Sequence, residues 1–236
     1  MPEKIVGILG GMGPEATVDF FAKIIALTPA ERDQGHLRII IDNNPKIPDR
    51  TEAILTKDES LVLVLVETAK NLEGAGVDFI AIPCNTAHYF YEDLVREISI
   101  PILHMIREVV HAVKAYLPEC KKVGLISTTG TVACNLYQKE FQKVGVEVIV
   151  SDPQSQAKVM NAILRIKAMR EKEKARKELT EAANLLVERK AEALILGCTE
   201  IPLVFKARDF AIPVFDATSV LAKATVKFAM SDTGDS

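Results

Sequence analysis

The second half of this chain repeats the first, and that repeat is the strongest constraint on its fold. Val6-Gly7-Ile8-Leu9 returns as Val123-Gly124-Leu125-Ile126, and the glycine that closes the following turn, Gly13 or Gly130, keeps the same distance from its strand. Asp78-Phe79-Ile80-Ala81-Ile82-Pro83-Cys84 returns as Glu192-Ala193-Leu194-Ile195-Leu196-Gly197-Cys198, and Ile100-Pro101 returns as Ile212-Pro213. Four landmarks thus recur in one order roughly 115 residues later, which is the signature of a duplicated unit. Each half carries a strand, a tight turn, a helix, and later a strand that runs into a cysteine.

The unit is α/β. Short Val/Ile/Leu runs bounded by turn residues alternate with longer amphipathic stretches, as parallel strands joined by crossover helices do. The expected strands are 4–9, 37–42, 78–82, 100–103, 122–126, 146–150, 192–196 and 212–215. Most are continuously apolar, the pattern of strands covered on both faces. One helix is expected after Gly13, with Pro14 and Glu15 in its first turn, where both are favourable. Others are expected near 51–74, 86–97, 105–116, 131–144, 154–169 and 171–190. The fold expected is two similar, pseudo-symmetric α/β domains with parallel sheets and a cleft between them.

Composition narrows the function by exclusion. With 236 residues, 48% of them hydrophobic, the chain can bury a substantial core. Its 29 basic and 32 acidic residues are spread along the sequence, leaving a net charge of -3 and no basic tract for nucleic acid. The most apolar run, Leu61 to Val66, is too short to span a bilayer, and the N-terminus enters a strand without a leader-like segment, so a cytoplasmic protein with no membrane contact is expected. The cysteines at 84, 120, 134 and 198 form no CxxC pair, and the histidines at 36, 88, 104 and 111 form no metal-ligand spacing, so neither a disulfide framework nor a metal is expected.

The duplication makes Cys84 and Cys198 the residues of interest. It brings them to equivalent places at the carboxyl ends of equivalent strands, where α/β proteins bind ligands. Capping-type residues follow each, Asn85-Thr86 and Thr199. A helix N-terminus beside each thiol would favour the thiolate, whose ordinary pKa of about 8.5 is high for a base. A thiolate on one side of a carbon and a thiol on the other can take a proton from one face and return one to the opposite face, which is racemisation or epimerisation. A nucleophile with an acid, or a redox couple, is the other use of such a pair. Nucleophilic cysteines usually have a histidine base, and His88 is placed for that or, more simply, for packing.

At these residues the sequence resembles the aspartate/glutamate racemase family, and its aspartate racemase branch in particular. The resemblance rests on GILGGMGPEAT (7–17), NNPKIPDRT (43–51), PCNTAH (83–88), STTGT (127–131) and GCTE (197–200). It implies two α/β domains, 1–103 plus 212–236 and 104–211, with the C-terminal segment returning to the first. It also implies a homodimer that uses neither pyridoxal phosphate nor metal and acts on a small acidic amino acid. Position by position, Cys84 becomes the base for the D-isomer and Cys198 the base for the L-isomer. Asn85, Thr86, Thr128, Thr129 and Thr199, with the loop around Met12 and Gly13, would hold the α-carboxylate. Arg50 would grip the side-chain carboxylate through its planar fork. Lys167 aligns with a substrate lysine, although RIKAMREKEKARKEL lacks the glycine usual in that loop. Glu200, where glutamate racemases carry histidine, favours the aspartate branch and counts among the substrate-facing residues. A hydantoin racemase, a maleate isomerase, a glutamate or broad-specificity racemase, and a non-catalytic amino-acid binding protein share these features. Cys120 and Cys134 match no catalytic position.

Overall fold

The computed structural model describes residues 4–205 and 210–231. All eight expected strands form: β1 (Val6–Gly10), β2 (Ile39–Asn43), β3 (Phe79–Ala81), β4 (Ile102–Leu103), β5 (Lys122–Ser127), β6 (Glu147–Val150), β7 (Ala193–Gly197) and β8 (Val214–Asp216). They make two parallel four-stranded sheets, β2-β1-β3-β4 and β6-β5-β7-β8, with the same strand order. The sheets match in their edge bonds as well. Ile80 N donates to Pro101 O and Leu194 N to Pro213 O, each at 2.9 Å. The Asp78 carboxylate accepts from Ile5 N at the start of β1, as the Glu192 carboxylate accepts from Lys121 N and Lys122 N at the start of β5. The repeat therefore preserves the residues that hold each sheet in register, beyond its apolar strings.

Ten helices connect the strands among the described residues: α1 (Pro14–Leu27), α2 (Arg50–Thr56), α3 (Ser60–Gly74), α4 (Tyr91–Glu97), α5 (Met105–Tyr116), α6 (Thr129–Ala133), α7 (Leu136–Gln142), α8 (Pro153–Lys167), α9 (Lys172–Glu188) and α10 (Ala217–Met230). Two expected helices are broken. The stretch 51–74 divides at Lys57, whose φ of 57 caps α2, and Asp58 then accepts from Ser60 N to start the next turn. The stretch 131–144 divides at Asn135, with φ 53. Single left-handed residues of this kind end a helix without a glycine. The expected helix 86–97 opens as a 3-10 turn over Thr86–Phe90 before α4. Helix α10 lies beyond the last of the expected helices.

The C-terminal segment divides between the halves. Strand β8 pairs with β7 and completes the second sheet, a correction to the expected return of residues 212–236 to the first domain. The reason is the duplication itself, since β8 stands to β7 as β4 does to β3. Helix α10 does reach the first half, packing on α1, while its counterpart α5 packs on α7 of the second half. Each half's last helix thus crosses to the other. One hydrophobic core lies between the sheets and includes Val6, Ile8 and Phe79 from one half and Val123, Leu125 and Ile195 from the other. A second fills the outer face of the first sheet beneath α3, and a third fills that of the second sheet beneath α8 and α9.

Candidate active site

One narrow cavity lies between the ends of the two sheets, with room for about one water molecule, and both β3 and β7 deliver a cysteine to it. After β3 the chain turns tightly, with Cys84 N bonded to Ile82 O at 2.8 Å, and after β7 it enters a 3-10 turn over Ile201–Leu203. Cys84 and Cys198 are 6% and 4% exposed. Met12, Arg50, Asn85, Thr86, Thr128, Lys167, Thr199 and Glu200 line the same cavity. Of the expected site residues, Gly13 and Thr129 stand outside the lining. Gly13 acts through its amide, which donates to Glu200 Oε1 at 3.1 Å, and Thr129 opens α6. Asp49 and Thr51 also line the cavity. Both lie in the PDRT segment, and Asp49 caps α2 by accepting from Glu52 N at 2.9 Å; a capping signal was present there but carries no chemistry by itself.

The two thiols have unlike surroundings. Cys198 Sγ donates to Glu200 Oε2 at 3.0 Å, and the same oxygen accepts from Thr199 Oγ1. Burial, reinforced by the Glu200 charge, pushes the Cys198 thiol well above the ordinary range, and Lys167 pulls only partly the other way. The expectation that both thiols gain from a helix N-terminus is therefore corrected at Cys198, where a three-residue 3-10 turn follows and a carboxylate dominates. Cys84 Sγ has no hydrogen-bond partner among the described residues. His88 does not serve it as a base: Nδ1 donates to the Cys84 carbonyl at 2.8 Å, and Nε2 accepts from Met105 N at 3.0 Å. Burial lowers its pKa to about 4, so the ring is neutral and pins backbone.

Two cations face the cavity. Arg50 is 7% exposed, and its guanidinium donates to the carbonyls of Pro48 at 2.8 Å, Ile47 at 3.3 Å and Met12 at 3.4 Å. Among the described residues it has no carboxylate partner, and its Nε is buried without an acceptor. A buried charge is costly unless paired, so this arrangement favours an anion in the cavity. At Lys167 burial works against the charge, but Glu200 and then Cys198 outweigh it and raise the pKa above the usual lysine value. Lys167 is the last residue of α8 and, without the glycine loop, still reaches the site. At the edge of the first half, Lys172 pairs with Glu15 at 2.6 Å and ties α9 to α1.

Hydroxyls fill the seam between the halves. Thr86 Oγ1 lies 2.9 Å from Thr128 Oγ1 and 3.0 Å from Thr131 Oγ1, and these two are 3.0 Å from each other. No group of three or more His, Cys, Asp or Glu side chains is arranged to hold a metal among the described residues. Likewise no helix among them is long and apolar enough to cross a membrane.

Known proteins share this arrangement. Residues 9–225 match the model of the Asp/Glu/hydantoin racemase family. The chain is 32% identical over 228 residues to a broad-specificity amino-acid racemase of Bacillus subtilis, covering 94% of this chain and 96% of that one. Its fold superposes on aspartate racemase of Picrophilus torridus with a TM-score of 0.86 at 36% identity, covering 96% and 94% of the two chains. It also superposes on an aspartate racemase homologue of Pyrococcus horikoshii with a TM-score of 0.77 at 26% identity, covering 97% of this chain and all of that one. Two parallel sheets of one order, each ending in a cysteine at a shared cavity, together with these matches, place the chain in the Asp/Glu/hydantoin racemase family.

Proposed function

We propose that the protein racemises an acidic amino acid, aspartate in the first instance, by proton transfer between Cys84 and Cys198. The carrying observation is the cavity that holds both thiols beside a buried arginine without an acidic partner among the described residues. The substrate's side-chain carboxylate pairs with Arg50 and Lys167, and its α-carboxylate takes donors from Asn85, Thr86, Thr128 and Thr199. One thiolate removes the α-proton, and the electron pair delocalises into the carboxylate. The opposite thiol gives its proton to the other face, so the two cysteines exchange protonation states and the centre inverts. Neutral donors suit the α-carboxylate because they stabilise charge that builds there during the step.

Glu200 faces Cys198, and we assign it to that thiol's protonation ahead of direct substrate contact. A carboxylate at 3.0 Å holds the Cys198 proton in place at rest and accepts its hydrogen bond. The protein is free to begin with Cys84 as base and Cys198 as acid. By the family resemblance, this is the D-to-L direction. The cavity is too small for an amino acid, so the halves part to admit one.

All four cysteines are free, which suits a reducing cytoplasm. The family resemblance also implies a homodimer, testable by sedimentation. The function is tested by incubating the protein with L-aspartate in deuterated water without added cofactor. Deuterium should enter the α-position as optical rotation decays to zero, and Cys84→Ala and Cys198→Ala should each abolish the decay. No exchange with aspartate, glutamate or other amino acids would overturn the reading.

A further inference from the structure

Tyr137 is the largest fully buried side chain among the described residues, and its polar atom reaches the site from outside its lining. It stands on α7 of the second half, and its hydroxyl lies 2.6 Å from Oδ1 of Asn85, which belongs to the first half and is 2% exposed. The amide's other end, Nδ2, is buried beside the cavity with no hydrogen-bond partner.

An amide can present either end to a neighbour, and the phenol decides which. With Oδ1 toward Tyr137, the phenolic proton has its acceptor and the NH2 group faces the cavity. In the reversed arrangement that proton loses its acceptor while a carbonyl oxygen faces a carboxylate substrate. Both losses are costly in a buried site. We infer that Tyr137 is a positioning residue that fixes the Asn85 amide with its NH2 group toward the substrate carboxylate. Burial pushes the phenol far above its ordinary range, with the Asp216 and Cys198 charges adding to the effect, so Tyr137 donates at every working pH. Donor and amide come from different halves, so the binding group is fully set only when the halves are docked. The inference rests on the reading of the cavity as a carboxylate site.

Tyr137→Phe removes one oxygen and keeps the ring packed against Phe141. Aspartate binding is measured by calorimetry on wild type, Tyr137→Phe, Asn85→Ala and the double variant, with α-proton exchange followed in parallel. Tyr137→Phe should weaken binding about tenfold, the scale of one hydrogen bond to a charged group. KM should rise more than kcat falls, and iodoacetamide should alkylate Cys84 and Cys198 at wild-type rates without substrate. In the Asn85→Ala background the phenylalanine should cost nothing further. An equal loss in both backgrounds would make Tyr137 a packing residue, and wild-type affinity in Tyr137→Phe would refute any role; either overturns the inference while the racemase reading stands. If the wild type neither binds nor exchanges aspartate, glutamate or any other amino acid, both fall together.

Discussion

Gly130 is the second residue of α6, pressed against α2 of the other half, and alanine there probes how closely the halves meet. A Cβ at 130 would stand 2.9 Å from Thr51 Oγ1, 3.0 Å from Thr51 Cα and 3.1 Å from Thr86 Cγ2. The hydroxyl can rotate away, but the Cα cannot, so α2 has to retreat. Overfilling a packed interior costs about 1–3 kcal/mol. Alanine's better helix propensity returns about 1 kcal/mol. The net loss of about 0–2 kcal/mol lowers the unfolding midpoint by at most about 8 °C in a protein of this size. Activity should suffer more than stability, because Arg50 precedes Thr51 on α2 and moves with it. A shift well below 1 Å in a positioning group costs about tenfold, less than the hundredfold of a full ångström. Thermal unfolding by circular dichroism and initial-rate kinetics on the same preparation separate the two effects. A raised midpoint with unchanged KM would show that α2 and α6 do not approach this closely.

Glu200→Gln removes the charge that, after burial, does most to hold the Cys198 thiol protonated, so iodoacetamide at mildly alkaline pH should modify Cys198 faster than in wild type. An unchanged rate would detach Glu200 from that role. His88 contributes a defined pH dependence of stability. Its pKa is lowered from 6.5 to about 4 in the folded state, so below 6.5 the unfolded chain binds the proton more readily and stability falls with pH toward 4. The loss between pH 6.5 and 4.5 is about 2 kcal/mol. Urea unfolding at the two pH values should show that much less change in His88→Gln than in wild type. Equal changes would place the imidazole's burial in doubt.

Much of this architecture is written in local sequence. The eight strands are legible because buried parallel strands read as unbroken Val/Ile/Leu runs, and both cysteines are legible because the repeat places them. The helix breaks at Lys57 and Asn135 are not legible, because a non-glycine residue in the left-handed region leaves little compositional mark. The crossing of α5 and α10 between halves depends on which core each amphipathic face finds. The chemistry of the site divides in the same way. Arg50 is visible in its motif, but its lack of an acidic partner among the described residues depends on folded surroundings. Glu200 is visible in GCTE, but its bond to the Gly13 amide joins residues far apart in sequence. Tyr137 has no motif at all, since only tertiary packing brings its hydroxyl to Asn85.

The unlike surroundings of the two thiols have a thermodynamic limit. Enantiomers of one amino acid have equal free energy in water, so kcat/KM in the two directions must be equal whatever the protein does to either cysteine. A carboxylate on Cys198 and none on Cys84 cannot favour one product at equilibrium. It changes which protonation form of the free enzyme waits for substrate. In the proposed two-thiol mechanism each turnover leaves the enzyme in the opposite form, and the two thiols must exchange their proton with solvent or with each other before the same isomer can be processed again. At high substrate concentration this recovery step, more than the chemistry on carbon, can set the turnover rate. It would appear as a difference in kcat between the two isomers that KM compensates in full.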